Sequence, residues 1–335
     1  MTEKFNKCKK NSRKIVTILL VSLLLTGCET DISVFDNYEI PLSQSSEQDI
    51  SEGTTADNID SEFLSADICV VPKKKQSQKD SFMTAGASLI FDNTHNKMLY
   101  ADNIYTKMYP ASTTKIVTAL VALKYGNLND EVTISYNATH INEYGAKLCG
   151  FAEGDKITLK KLLYSFLICS GNDAGIAIAE HIAGSVDKFA AMMNKEVKAL
   201  GCSGSNFVNP HGLHDDNHYT TPYDLYLVFH ELLKYDVFID IINHSSYKAE
   251  FNGADGNKKT LWFTSTDKYL LGSAKAPEGV TVIGGKTGTT SMAGSNLILY
   301  SKNSNGNSYI SVVMHASDSF SLYSQMSHLL ELENQ

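Results

Sequence analysis

The chain has 335 residues, 43% of them hydrophobic, with 29 Lys and Arg against 37 Asp and Glu and a formal net charge of -8. That length and apolar fraction allow one large domain, or two interleaved subdomains, around a sizeable core. The acidic balance, with no interleaved basic and aromatic pattern, argues against a nucleic-acid partner; Arg13 is the only arginine, so everything after it has lysine and histidine alone for cationic recognition, without the planar fork of a guanidinium.

Lys4, Lys7, Lys9, Lys10, Arg13 and Lys14 make a basic start, residues 15–25 are mostly apolar, and Leu25, Thr26, Gly27 and Cys28 close the run. The apolar stretch is too short for a bilayer span and fits a signal peptide. Leu-Thr-Gly-Cys in that place resembles the lipobox of bacterial lipoproteins. Residues 1–28 are therefore expected to be a lipoprotein signal peptide, with Cys28 lipidated and the remainder tethered to the membrane outside the cytoplasm. Residues 29–62 hold no Lys or Arg, and residues 29–80 are expected to form a disordered acidic tether and linker. Within it Val70 and Val71 read as a strand or a local docking element, and Lys73, Lys74, Lys75 and Lys79 as a solvated face. The remaining cysteines, Cys69, Cys149, Cys169 and Cys202, have neither redox-pair nor zinc-box spacing. Cys169 lies in an apolar run and reads as a small buried side chain, so no essential disulfide is expected.

Residues 81–335 are expected to form the main domain. Residues 86–91 and 97–101 flank a polar run as a hairpin. Pro110 suits a first helical turn, and Ile116, Ala119, Leu120 and Leu123 recur at helical spacing, which predicts a helix following Pro110. Residues 128–134 and a loop through residues 150–155 lead to a helix over 159–168. Residues 172–182 and 186–200 carry helical patterns with Gly184 and Gly201 as stops, and residues 222–233 form another helix opened by Thr220 or Thr221. Residues 280–286, 295–300 and 309–314 read as strands, joined by turns that include residues 303–307. Ser317 or Asp318 then opens a last helix through Leu322, Met326, Leu329 and Leu330. Early strands, a helical middle, late strands and a closing helix predict an α/β fold of the α+β kind: an antiparallel sheet covered by helices, a helical subdomain beside it, and a crevice between.

On the predicted helix Ser112 and Lys115 lie about one turn apart on one face, a nucleophile beside a possible base. Such a pair alone is a weak signal. Ser170-Gly171-Asn172 follows the apolar run 162–169, however, and Lys286-Thr287-Gly288-Thr289 follows the strand-like run 280–285. Ser-x-x-Lys, then Ser-x-Asn, then Lys-Thr-Gly is the ordered signature of penicillin-recognising serine enzymes. With residues 109–115, 170–174, 207–213 and 285–294 taken together, the chain resembles the low-molecular-weight penicillin-binding proteins of the D-alanyl-D-alanine carboxypeptidase type, peptidase family S11, over about residues 86–330.

That resemblance implies a beta-lactamase/transpeptidase-like fold, hydrolysis of D-Ala-D-Ala in peptidoglycan stem peptides through an acyl-enzyme on Ser112, and beta-lactam antibiotics as acylating inhibitors, with no cofactor. Ser112 attacks the penultimate carbonyl and Lys115 takes its proton, which requires a lysine pKa lowered by burial and by the cation of Lys286. Ser170 relays the proton to the leaving D-alanine. Asn172 either orients Lys115 and binds the substrate backbone or only caps the helix after Gly171. Lys286, Thr287 and Thr289 hold the terminal carboxylate, Gly288 admits a close approach, and the backbone N–H groups of Ser112 and Thr289 form the oxyanion hole. Family members often place an arginine near the last strand or helix for that carboxylate, and commonly carry a strand-rich domain and an amphipathic anchor after the catalytic domain. Here carboxylate binding falls to Lys286, Thr287, Thr289 and His315, the sequence ends at Gln335, and the lipobox is the expected attachment.

Alternative readings are a DD-endopeptidase acting on cross-links, a serine beta-lactamase and a non-enzymatic wall scaffold. The beta-lactamase reading lacks a Glu-x-x-x-Asn segment between Ser170 and Lys286, with Asp215 or Asp216 the nearest substitute. His211, His214 and His218 beside those aspartates invite a zinc site, but Asn209-Pro210-His211-Gly212 is a loop former and no metal is expected.

Overall fold

The computed structural model describes residues 68–72, 76–78, 80–143 and 145–335. The leader, Cys28, the acidic run to residue 67, Lys73, Lys74, Lys75 and Lys79 lie outside the described residues. Among the described residues no helix is long and apolar enough to cross a membrane.

The larger sheet is built from β1 (Ala87–Asp92), β2 (Lys97–Asp102), β7 (Val280–Thr290), β8 (Gly294–Asn303) and β9 (Ser308–Ala316), in the order β2-β1-β9-β8-β7. Every neighbouring pair runs antiparallel. Successive side chains on a strand point to opposite faces, and here both faces are covered. Leu89, Phe91, Ile298, Ile310, Val312 and Met314 join one core, while Ile90, Leu297, Leu299, Tyr309 and Val313 join the other. The second core is closed by α8 (Ser319–Leu330) through Leu322, Met326, Leu329 and Leu330, and Asp318 caps that helix by accepting from the Ser321 N–H.

The first core packs against the helical middle: α1 (Lys115–Tyr125), α3 (Leu159–Cys169), α4 (Asn172–Ala183), α5 (Val186–Ala199) and α6 (Pro222–Leu232). Local chemistry sets their ends. Thr158, Ser185 and Thr221 cap α3, α5 and α6 with side-chain oxygens, Pro222 occupies the first turn of α6, and Gly184 ends α4 in the left-handed region.

Two features depart from the sequence reading. The helix following Pro110 is in two parts, a 3-10 turn over Ala111–Thr114 and then α1. The Pro110 carbonyl accepts from Thr113 N at 3.2 Å, Thr113 Oγ1 at 2.8 Å and Asn296 Nδ2 at 3.0 Å, which closes an i→i+3 turn in place of an α turn. The middle region also contains strands. β3 (Glu131–Thr133), β4 (Lys156–Thr158), β5 (Ser246–Asn252) and β6 (Lys258–Thr264) form a second antiparallel sheet in that order, with short helices α2 (Tyr136–Thr139) and α7 (Asp236–Ile242) alongside.

Packing begins ahead of Ser81. Cys69 and Val71 are buried; Cys69 N donates to Tyr226 Oη at 2.7 Å, Tyr223 Oη donates to the Cys69 carbonyl at 3.0 Å, and Tyr105 Oη donates to the Val71 carbonyl. Of the two readings for this stretch, a docking element is the one observed, without strand pairing.

Candidate active site

The three motifs meet where α1, the α3–α4 junction and β7 come together. Ser112 sits in the 3-10 turn and Lys115 is the first residue of α1. Residues i and i+3 eclipse in a 3-10 turn, and the Lys115 Nζ lies 2.9 Å from Ser112 Oγ. Ser170 ends α3 with φ 65°, and this left-handed residue turns the chain sharply, so that Asn172 opens α4. Its side chain takes Lys115 Nζ on Oδ1 at 2.8 Å. The helix cap itself is Gly171, so the Asn172 side chain is free for Lys115. Lys286 projects from β7, and its Nζ donates to Ser170 Oγ at 3.0 Å and to the Thr287 carbonyl at 3.0 Å.

β7 lies hard against the nucleophile turn. A Cβ on Gly288 would come within 2.8 Å of Pro110 O, Ser112 N and Thr113 N, so only glycine allows this approach. Buried Asn296 on β8 adds a second tie, donating to the carbonyls of Tyr109 and Pro110 at 3.0 Å while accepting from His315 N at 2.7 Å. Behind the turn, Gly212 has φ 89°, and a Cβ there would stand 1.9 Å from the Ala111 carbonyl.

Electrostatics follow from burial. Lys115 has none of its surface exposed, and burial first and the Lys286 cation second hold its pKa well below the ordinary lysine value. Its third partner is the His211 carbonyl at 2.6 Å. An ammonium would donate to all three partners; a neutral amine donates to Asn172 and His211 and turns its lone pair to the Ser112 hydroxyl. The second arrangement is that of a general base. For Lys286, burial and then the charge of Lys147 lower the pKa to about 7.

Ser112, Ser170, Asn172, Thr287, Gly288 and Thr289 line one cavity of about 440 Å³, and Lys147, Thr266, Lys268 and Tyr323 are among the other residues of its wall. Lys268 and Thr266 were not singled out from the sequence. Thr266 Oγ1 lies 2.5 Å from Thr287 Oγ1, and Lys268 Nζ stands 5.3 Å from the Tyr323 ring centroid. A lone lysine in a connecting segment carries no motif that would have found it. His315, in contrast, lines a separate hollow with Lys107, Met108, Tyr109 and Met292, and does not line the Ser112 cavity.

His211 and His218 are buried structural groups. His218 Nδ1 accepts from Val208 N at 3.1 Å, which places the proton on Nε2 for donation to Thr114 Oγ1 at 2.7 Å; Thr114 in turn donates to the Ala111 carbonyl at 2.8 Å. Burial lowers the pKa of His211 to about 3 and of His218 to about 4, keeping both neutral. Among the described residues no group of three or more His, Cys, Asp or Glu is arranged to hold a metal ion.

The family model described as D-alanyl-D-alanine carboxypeptidase, Peptidase_S11, matches residues 73–318. Among curated relatives, the D-alanyl-D-alanine carboxypeptidase DacF of Bacillus subtilis is 32% identical over 252 residues, covering 74% of this chain and 61% of that protein. DacA of Haemophilus influenzae is 33% identical over 238 residues, covering 69% and 57% respectively. The chain thus spans less than two thirds of the length of either relative. Among solved structures, the Streptomyces K15 DD-transpeptidase superposes with a TM-score of 0.70 at 26% identity over 77% of this chain and 99% of its own. Penicillin binding protein 5 from Haemophilus influenzae gives 0.64 at 29% identity over 77% and 72%. The two antiparallel sheets flanked by helices are the beta-lactamase/transpeptidase-like fold of these structures. On the family match and the extent of these likenesses, the chain belongs to peptidase family S11, the D-alanyl-D-alanine carboxypeptidases.

Proposed function

We propose that the chain is a serine-type D-Ala-D-Ala carboxypeptidase that removes the terminal D-alanine of peptidoglycan stem peptides through an acyl-enzyme on Ser112. The observation that carries this reading is the ring of acceptors around the buried Lys115 amine, which leaves its lone pair facing Ser112 Oγ at 2.9 Å. Ser112 Oγ attacks the carbonyl of the penultimate D-alanine and passes its proton to Lys115 Nζ. The backbone N–H groups of Ser112 and Thr289 receive the developing oxyanion, a role supported by the close approach of β7 at Gly288. Ser170, hydrogen-bonded to Lys286, hands its hydroxyl proton to the leaving amine and takes up in return the proton held on Lys115, so that D-alanine departs and Lys115 is neutral again. Water then attacks the ester carbonyl with Lys115 again as base, releasing the shortened peptide and restoring the Ser112 hydroxyl.

Lys286, Thr287 and Thr289 take the terminal carboxylate. Lys268, on the same cavity wall, supplies the further cation that the missing arginine would otherwise provide. Beta-lactams acylate the same serine by the same attack, with a ring-opened product that cannot diffuse away as a leaving group. Lipidation at Cys28 after signal-peptide removal anchors the domain at the outer face of the membrane, supported by the basic start, the short apolar run and the Leu-Thr-Gly-Cys ending.

The likeness to a DD-transpeptidase favours one second reading, in which the acyl group passes to an amine in place of water. The assay that separates the readings is release of D-alanine from a stem pentapeptide, run with and without an acceptor amine and beside Ser112→Ala. Hydrolysis in the wild type alone supports the carboxypeptidase. Product dominated by the amine adduct moves the assignment to transfer, and cleavage confined to cross-linked dimers moves it to an endopeptidase. Incorporation of labelled fatty acid, lost in Cys28→Ala, tests the anchor.

A further inference from the structure

Part of the cavity wall is a loop held by the Ser170–Asn172 turn. Asn172 N donates to the Lys147 carbonyl at 2.7 Å, and buried Asp173 accepts from Cys149 N at 2.8 Å and Gly150 N at 2.9 Å. Gly145, Ala146 and Lys147 of this loop line the cavity. Where loop and turn touch, two thiols face each other: Cys149 Sγ lies 3.1 Å from Cys169 Sγ, and both are free. Cys169 is the last residue of α3, next to Ser170. The turn is shaped to admit the partner sulfur, since a Cβ on Gly171 would stand 2.4 Å from Cys149 Sγ. Neither spacing nor composition reveals this pair, because the two cysteines are 20 positions apart in sequence.

We infer that Cys149 and Cys169 are a disulfide-forming site that fastens the cavity-wall loop to the Ser170 turn. A disulfide bond is about 2.05 Å long, so the sulfurs need to approach by only about 1 Å, within reach of side-chain rotation and a small loop adjustment. The oxidant is a small-molecule or protein disulfide of the kind an exported chain meets. Half-buried Cys149 is the accessible member. Its thiolate attacks one sulfur of the oxidant, releasing the first thiol and leaving a mixed disulfide on Cys149; the Cys169 thiolate then attacks Cys149 Sγ and displaces the second thiol. Two protein thiols are oxidised, one external disulfide is reduced to two thiols, and both protons appear in those products. The hydrogen bond from Cys149 holds the Cys169 thiol on the low side of its ordinary range, which suits it to the second attack, whereas burial holds the Cys149 thiol well above its range and makes the first attack the slow step.

This inference does not rest on the serine chemistry. The bond ties down a loop that is otherwise held by hydrogen bonds, and it leaves Cys69 and Cys202, buried elsewhere, as free thiols.

The test uses the purified full chain, reduced and then incubated with oxidised glutathione, quenched with acid, alkylated and mapped by peptide mass. The expected result is a peptide pair joined through Cys149 and Cys169, two hydrogen masses lighter than the sum of its reduced parts, that separates on reduction. Proteolysis within the loop should also slow in the oxidised wild type relative to the reduced form, with no such difference in Cys149→Ser. Full alkylation of both residues after oxidation, a glutathione adduct that persists on Cys149, or a link to Cys69 or Cys202 would each overturn the assignment.

Discussion

Two lysines of the same crevice, Lys115 in the nucleophile turn and Lys286 on β7, are equally buried, with 0% and 1% of their surface exposed, yet they sit in different company. Lys115 is ringed by a hydroxyl, an amide oxygen and a carbonyl; Lys286 touches the Ser170 hydroxyl and its neighbour's carbonyl. Among their hydrogen-bond partners neither has a carboxylate, so neither charge is neutralised by a direct ion pair. Burial therefore works against protonation of both, with the Lys286 cation adding to the pressure on Lys115 and the Lys147 cation to that on Lys286. The difference fits the two tasks proposed for them: the lysine whose lone pair has a serine to face as the base, and the one set on the strand beside Thr287 and Thr289 as the partner of the substrate's anion.

The largest expected effect breaks the first half of that comparison. Lys115→Met should slow acylation by benzylpenicillin roughly 100- to 10,000-fold, the range for loss of a general base, while leaving Ser112 in place. A rate within a few-fold of wild type, read by time-resolved intact mass, would exclude Lys115 as the base.

Next in size, Lys286→Met should cut kcat/KM for a stem peptide about 100-fold or more through lost electrostatic stabilisation. Its charge also has a pH signature. With a pKa of about 7, Lys286 loses its proton as pH rises through that value, so the kcat/KM profile should begin to fall there. Stability moves the opposite way: an unfolded lysine keeps its proton to about 10.4, so between about 7 and that value the unfolded state binds more protons and unfolding becomes harder as pH rises. Denaturant titrations across that window should show a steeper rise for wild type than for Lys286→Met; parallel curves would mean that Lys286 titrates normally.

Smaller still, Lys268→Ala should raise KM about fivefold with kcat nearly unchanged, as expected for a partly exposed cation contributing about 1 kcal/mol. An unchanged KM would remove it from carboxylate recognition. The smallest change is a control outside the cavity lining: Thr221→Ala deletes the cap of α6 and should cost about 1 kcal/mol of stability without altering the acylation rate.

The elements that position this site were legible wherever side-chain period and end signals agreed. The strands that became β1, β8 and β9 alternate between two covered faces, and Thr221, Pro222 and Gly184 mark helix ends by their own chemistry. The second sheet was not read because β3 and β4 have only 3 residues each, too few for alternation to register. Its other hairpin did carry a turn signal: Gly256 follows Asp255 with φ 80°, and Asp255 Oδ1 accepts from Asn257 N at 3.0 Å. Lys248, Glu250, Lys258 and Lys259 on the flanking strands obscured the apolar side. At the site, Ser112 and Lys115 were placed together correctly from an α-helical spacing, and the observed 3-10 turn brings the same two positions together. Lys268 stayed hidden because only the tertiary fold carries its segment to the cavity, and His315 sat close in sequence to the closing helix but faces another hollow.

The most direct test of the central claim is peptide mapping of the adduct formed with benzylpenicillin, on wild type and Ser112→Ala in parallel. The expected result is one penicilloyl group, on Ser112, formed in the wild type and absent from the variant. An adduct on any other residue, or penicillin turnover that persists in Ser112→Ala, would contradict it.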